Sequence, residues 1–247
     1  MGLLDIILNR GGMIEILTCI ISMVIVVFLV MPVHEFAHGF AAEKLGDPTP
    51  RRQGRMSLNP LRHIDYIGSL MILFVGFGWA KPVEVDSRYF KRPKRDMAIT
   101  ALAGPLSNLI CALISAFIVN LLYFIFVKVG IYNDFYSFVA YGFTPENYWH
   151  VLLFCIAMVF NYIMSINLSL AVFNLIPIPP LDGSKILYAI LPERIYRSIM
   201  RYERYLYFGL LFLLFVGSGF SHFIWYTVSH IADAFLNVTW LPFKFFI

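Results

Sequence analysis

Residues 13–33 are apolar apart from Glu15 and a few small polar side chains, and the run ends directly in His34-Glu35-Phe36-Ala37-His38. At 1.5 Å per residue it is long enough to cross about 30 Å of hydrocarbon. No other feature restricts the chain as much. Inside a bilayer every backbone N–H and C=O must be bonded within its own segment, so the run must be helical. A helix places residues four apart on one face, which pairs His34 with His38 and sets Glu35 beside them. Three polar groups at the end of an apolar run need partners. The HExxH pattern supplies one, because two imidazoles at this spacing hold a zinc ion and a carboxylate beside them works on water.

The composition agrees with a chain built largely within a membrane. Hydrophobic residues make up 60% and charged residues 14%, a balance that excludes an ordinary soluble domain. The net charge of +4 is carried by separate loops with no dense basic block, which argues against nucleic acid as a partner. Cys19, Cys111 and Cys155 all lie in apolar runs. An odd number of thiols in such places makes no disulfide framework, and each reads as a small buried hydrophobe. No small-residue cleavage site follows the first run, so it is expected to stay as a membrane helix and not to be removed as a signal peptide.

In chain order, the first helix should continue through the histidines to about Leu45, where Gly46-Asp47-Pro48 stops it, and Pro32 should kink it. Residues 47–65 and 81–96 are basic loops around residues 67–80, an apolar stretch too short to cross, which reads as re-entrant. Residues 97–127 and 149–176 are long enough to span and are separated by a nearly neutral polar loop at 128–148. A third basic loop covers 185–204. From 205 the chain is apolar again, read as one span ending near Ser229 and an interfacial tail to Ile247. With this arrangement all Lys and Arg except Arg10, Lys128 and Lys244 lie on one side, which the positive-inside rule makes the cytoplasm. The expectation is therefore a single integral membrane domain of the all-α class, multi-pass in the cell membrane, with about four transmembrane helices. Its core should occupy about 13–190 and its C-terminal span and tail about 205–247, with His34 and His38 toward the cytoplasmic side.

A catalytic zinc takes three protein ligands and keeps one position open. The third ligand must lie at the depth of the histidine pair. Asp182 meets that condition, because Pro177, Pro179 and Pro180 prevent a regular helix and let the chain turn a carboxylate back. Asp65 is the reserve candidate, and Glu15 lies too far along its helix. Taken alone, Asp182 would serve equally as the N-cap of a helix starting at Gly183. His63, His150, His222 and His230 lack a second ligand at helical spacing and read as structural or interfacial, and Trp149, Trp225 and Trp240 read as an interfacial belt.

Three motifs in order, HEFAHG on the first long helix, AGPLSN at 103–108 and NLIPIPPLDG at 174–183, resemble the site-2 protease family of intramembrane zinc metalloproteases. The stretch HEFAHGFAAEKLGDPTPRRQGRMSLNPLRHID, with FGWAKPVEV after it, is similar to the family's compact bacterial branch. The resemblance covers about residues 13–190. It implies one zinc per chain held by His34, His38 and Asp182, with Glu35 as the catalytic carboxylate and Asn174 contacting the substrate or the developing oxyanion. It further implies that the re-entrant stretch and its flanks form short β-strands beside the active site, at 51–58 and 80–85, where a substrate could add as a further strand. Relatives commonly read HIDPxG where this chain has His63-Ile64-Asp65-Tyr66-Ile67-Gly68, so that turn is expected to differ. No PDZ or CBS domain fits in the chain.

The function this implies is hydrolysis of a peptide bond in or near the transmembrane segment of single-span membrane proteins, close to the cytoplasmic face. Two other readings accommodate the same residues. One is a membrane protein that binds or transports zinc without peptidase activity. The other is an HExxH protease with Glu as third ligand.

Overall fold

The computed structural model of the chain describes residues 12–75, 80–128, 148–216 and 218–246. The first apolar run forms helix α1 (Met13–Ile25), a wider turn (Val26–Val30) and helix α2 (Met31–Lys44) in unbroken succession. In the wider turn the Met31 N–H bonds back five residues, to the Val26 carbonyl. Pro32 follows at once. It has no N–H to offer and its ring crowds the carbonyl four residues back, so the turn before it opens. The histidine pair thus sits immediately beyond a break in regular helical spacing.

After the turn at Gly46 come α3 (Thr49–Arg52) and α4 (Tyr66–Val75), then α5 (Pro93–Lys128) and α6 (Tyr148–Asn174). The chain ends in α7 (Asp182–Ile190), α8 (Glu193–Arg201), α9 (Glu203–Val216) and α10 (Ser218–Trp240). Among the described residues three helices are long and apolar enough to cross a membrane: Ile16–Lys44, Pro93–Lys128 and Leu152–Asn174. The polar loop expected at 128–148 falls largely on residues outside those described, as do residues 76–79 of the stretch read as re-entrant. What is described of that stretch, α4, has ten residues, too short to cross. Past Ser229 the chain continues as helix to Trp240, and Val228, Ile231 and Phe235 pack it against α5 and α6.

The three long helices pack α2 on α5, α1 on α6 and α5 along α6, with α7 against α5. Val26, Val27, Val30 and Met31 join Ile72 of α4 and Val159 and Ile163 of α6 in one core. Ala112 and Ala116, both fully buried, bring α5 close to Met164 and Leu168 of α6. Small residues one turn apart allow such an approach where lipid gives no hydrophobic driving force between helices. Polar bonds tie the helices together: Ser22 donates to the Val159 carbonyl at 3.3 Å, and Asn120 donates to the Leu236 carbonyl at 2.7 Å and to Thr239 Oγ1 at 2.8 Å. Leu17, Ile21 and Val24 on α1, Phe28 in the wider turn, and Leu102, Leu106 and Ile110 on α5 face outward, as lipid-facing positions do.

The short strands expected at 51–58 and 80–85 are not present among the described residues. Residues 49–52 form α3 and turns follow it, while 80–86 is irregular. Three backbone donors of 80–86 are nevertheless occupied. Lys81 N–H bonds the His63 carbonyl at 2.8 Å, Val83 N–H bonds Glu35 Oε2 at 2.8 Å, and Asp86 N–H bonds Asp47 Oδ2 at 2.8 Å. Asp47 is wholly buried and its other oxygen accepts from Thr49 N–H at 2.9 Å, so one carboxylate clasps the turn after α2 to the segment that touches Glu35. Asp47→Ala should leave two donors without partners and cost about 1–3 kcal/mol. Limited proteolysis should then cut within 80–92 sooner than in the wild type, and unchanged protection would remove the clasp from the account.

Candidate metal centre

The helix that carries His34 and His38 presents both rings to α5 and α7. His34, Glu35, His38 and Asp182 are each less than one tenth exposed. The two Nε2 atoms stand 3.0 Å apart, and Asp182 Oδ2 lies 3.1 Å from His38 Nε2 and 3.4 Å from His34 Nε2. Bonds of about 2.0–2.1 Å to a tetrahedral zinc would hold ligand atoms about 3.3–3.4 Å apart, so the three atoms are already spaced to share one ion. The donor chemistry agrees. His38 Nδ1–H donates to the Thr100 carbonyl at 2.7 Å, which leaves Nε2 with its lone pair toward the group. That lone pair and a carboxylate oxygen 3.1 Å apart repel one another unless a proton or a metal cation lies between them.

Asp182 arrives from 144 residues further along the chain by a compact turn. Helix α6 ends at Asn174, and Pro177, Pro179 and Pro180 exclude further helix. Gly183 then passes so close to the preceding turn that a Cβ there would lie 2.4 Å from the carbonyl oxygens of Leu175 and Ile176. The N-cap of α7 is Leu181, with no side-chain cap bond, and the Asp182 carboxylate is turned instead to the imidazoles. Burial alone would raise its pKa, but His38, His34 and Lys185 outweigh burial and hold it well below the usual carboxylate range. Lys185 Nζ lies 3.4 Å from the other oxygen, Oδ1.

Opposite the imidazoles is Gly104 of α5. A Cβ at this position would lie 2.2 Å from His38 Nε2 and 2.6 Å from His34 Cε1, so the absence of a side chain leaves open the space in front of the ligand atoms. The group opens into a cavity of about 590 Å³ that Glu35, Val83, Asn108, Phe173 and Asn174 help to line. Tyr207, with Glu203 and Arg204, brings α9 to the same cavity. Asn174, at the C-terminal end of α6, is half-buried there.

The remaining candidates are elsewhere. Asp65 Oδ1 accepts from Gly68 N–H at 2.9 Å at the start of α4. His63 bonds the Ser57 carbonyl at 2.7 Å and His230 bonds the Tyr226 carbonyl at 2.9 Å. His222 lies beside the Trp225 ring, and the side chain of His150 lies outside the described residues. Gly104 and Asn108 were visible in the sequence as part of AGPLSN without any role attached. What places them at the centre is the packing of α5 across α2, which no spacing within either segment reveals.

A model of the family described as Peptidase family M50 matches residues 22–217. The chain is 34% identical over 216 residues to YwhC of Bacillus subtilis, a zinc metalloprotease by its name, covering 87% of this chain and 90% of that protein. It is 26% identical over 211 residues to Rip2 of Mycobacterium tuberculosis, also named as a zinc metalloprotease, covering 76% and 71%. No solved structure matches the chain.

Proposed function

The chain belongs to peptidase family M50, the site-2 protease family, and from that premise we propose that it is an intramembrane endopeptidase. In this reading it cuts single-span membrane proteins in or near their transmembrane segment, close to the cytoplasmic face. The observation that carries it is the close triangle of His34, His38 and Asp182 ligand atoms, drawn from two elements 144 residues apart, with Glu35 beside it at the mouth of a cavity.

His34, His38 and Asp182 hold one zinc per chain, and Thr100 keeps His38 in the tautomer that can bind. Zinc at this position supplies Lewis acidity, lowering the pKa of water to about 7. Glu35 takes the proton of the attacking water and returns it to the leaving amine. Its Oε2 is oriented by Val83 N–H at 2.8 Å, which leaves Oε1 for that transfer. Asn174 faces the same cavity and contacts the substrate backbone or the developing oxyanion. In this reading a fourth crossing follows residue 205, and the clustering of Lys and Arg in the loops supports a cytoplasmic position for those loops and for the metal group.

The purified protein in proteoliposomes with a fluorescent single-span substrate tests this directly. A chelator should stop cleavage, and one equivalent of zinc should restore it. Cleavage that survives complete loss of metal, or zinc flux across the vesicles with no substrate ever cut, would overturn the assignment.

A further inference from the structure

Asn108 lies on α5 one turn beyond Gly104, on the face that closes over the metal group. Its side chain is 1% exposed, it lines the cavity together with His34, Glu35, His38 and Asp182, and neither Oδ1 nor Nδ2 has a hydrogen-bond partner. A carboxamide carries two donors and one acceptor oxygen. Burying all of them unmatched costs stability that an apolar residue of similar size would not. The two other buried amides among the described residues each make at least one bond, and of their atoms only Asn167 Oδ1 is unmatched. Asn120 donates to Leu236 and Thr239 across to α10, and Asn167 donates to the Ile163 carbonyl at 2.8 Å.

The proposed substrate presents the complementary need. A membrane helix must be unwound before its peptide bond can be attacked, and its freed N–H and C=O groups find no water in hydrocarbon. In an extended chain the N–H and C=O of one residue point to the same side, at a spacing that one carboxamide can match with two hydrogen bonds. Residues 80–86 offer only part of what it needs, because their N–H groups at 81, 83 and 86 are already engaged, and Pro82 has none.

We infer that Asn108 is a substrate-binding residue that pairs, through Nδ2–H to C=O and Oδ1 to N–H, with one residue of an unwound membrane segment beside the bond to be cut. This rests on the endopeptidase reading. The recognition is of backbone in extended form and is indifferent to which side chain the substrate carries.

The test uses a fluorescent single-span peptide in detergent micelles. Its binding is measured to Glu35→Gln and to Glu35→Gln/Asn108→Leu, alongside zinc content, thermal stability, and cleavage by Asn108→Leu with Glu35 intact. Asn108→Leu should keep one zinc per chain and raise the melting temperature by about 2–4 °C, because it removes unmatched buried groups. It should weaken peptide binding at least tenfold, with a matching loss in kcat/KM. Should leucine not fit, Asn108→Ala removes the same groups without added bulk and should weaken binding as much. Equal binding with and without the carboxamide would overturn the inference, and so would a fall in melting temperature with both substitutions, which would make Asn108 a structural residue. If the wild type holds zinc and binds the peptide through Asn108 yet never cuts it, this inference stands and the endopeptidase reading falls.

Discussion

Glu35→Gln is expected to retain one zinc per chain and to lose cleavage by about 10²–10⁴-fold, the range that a positioned general base contributes. The geometry makes the substitution a clean one. Glu35 is not among the three atoms that form the metal triangle, so no ligand is removed. The bond it makes to the fold is received, not given: Val83 N–H donates to Oε2, and the carbonyl oxygen of a glutamine accepts that bond equally well. Volume is preserved in a residue that is only 9% exposed. What disappears is the ability to accept a proton and later return it. Zinc stoichiometry by elemental analysis and single-turnover cleavage of a single-span substrate in proteoliposomes measure the two sides. Wild-type cleavage by Glu35→Gln would remove Glu35 from the proton transfer, and loss of zinc would make it a ligand or a support for one.

The histidine pair was legible because its geometry is local: a helix fixes the relation of residues four apart whatever surrounds it. Asp182 was legible at long range for a different reason. The topology set its depth and the prolines freed its carboxylate, and the structure brings it to within 3.1 Å of His38 Nε2. Residues 80–86 show where such reasoning stops. Every second N–H at 81 and 83 is bonded, as in a strand, but the acceptors are the His63 carbonyl and the Glu35 carboxylate, and Asp47 serves Asp86. Those partners come from three different places in the sequence, so no ladder forms, and nothing in the segment itself distinguishes this case from pairing with a neighbouring strand. Residues 229–240 followed the same pattern. They read as the start of an interfacial tail after a span ending near Ser229, yet the helix continues to Trp240 and Thr239 is matched by Asn120 of α5, a partner visible only once the helices are packed.

Gly104→Ala should lose zinc. A methyl group at this position would come within 2.2 Å of His38 Nε2, 2.5 Å of His38 Cε1 and 2.6 Å of His34 Cε1, far inside the 3.5–4.0 Å of an ordinary contact. Something must move, and each available movement damages the site. His38 cannot turn aside without breaking its 2.7 Å bond to the Thr100 carbonyl, which belongs to the same helix one turn earlier and so approaches with the methyl group. Helix α5 can retreat toward its exposed face only by opening its packing on α6, where Ala112 and Ala116 are fully buried, and close-packed interiors yield little. Displacing the imidazoles separates ligand atoms now 3.0–3.4 Å apart. Supports of a metal site that touch no ion cost about 10–100-fold in affinity when altered, and a group intruding among the ligand atoms should cost at least about 100-fold by the same measure. Leu106→Ala, an outward change on the same helix, should keep its zinc. Competition with a chelator of known affinity reads both, and a Gly104→Ala protein that holds one zinc as tightly as the wild type would show that the ion lies elsewhere than in front of α5.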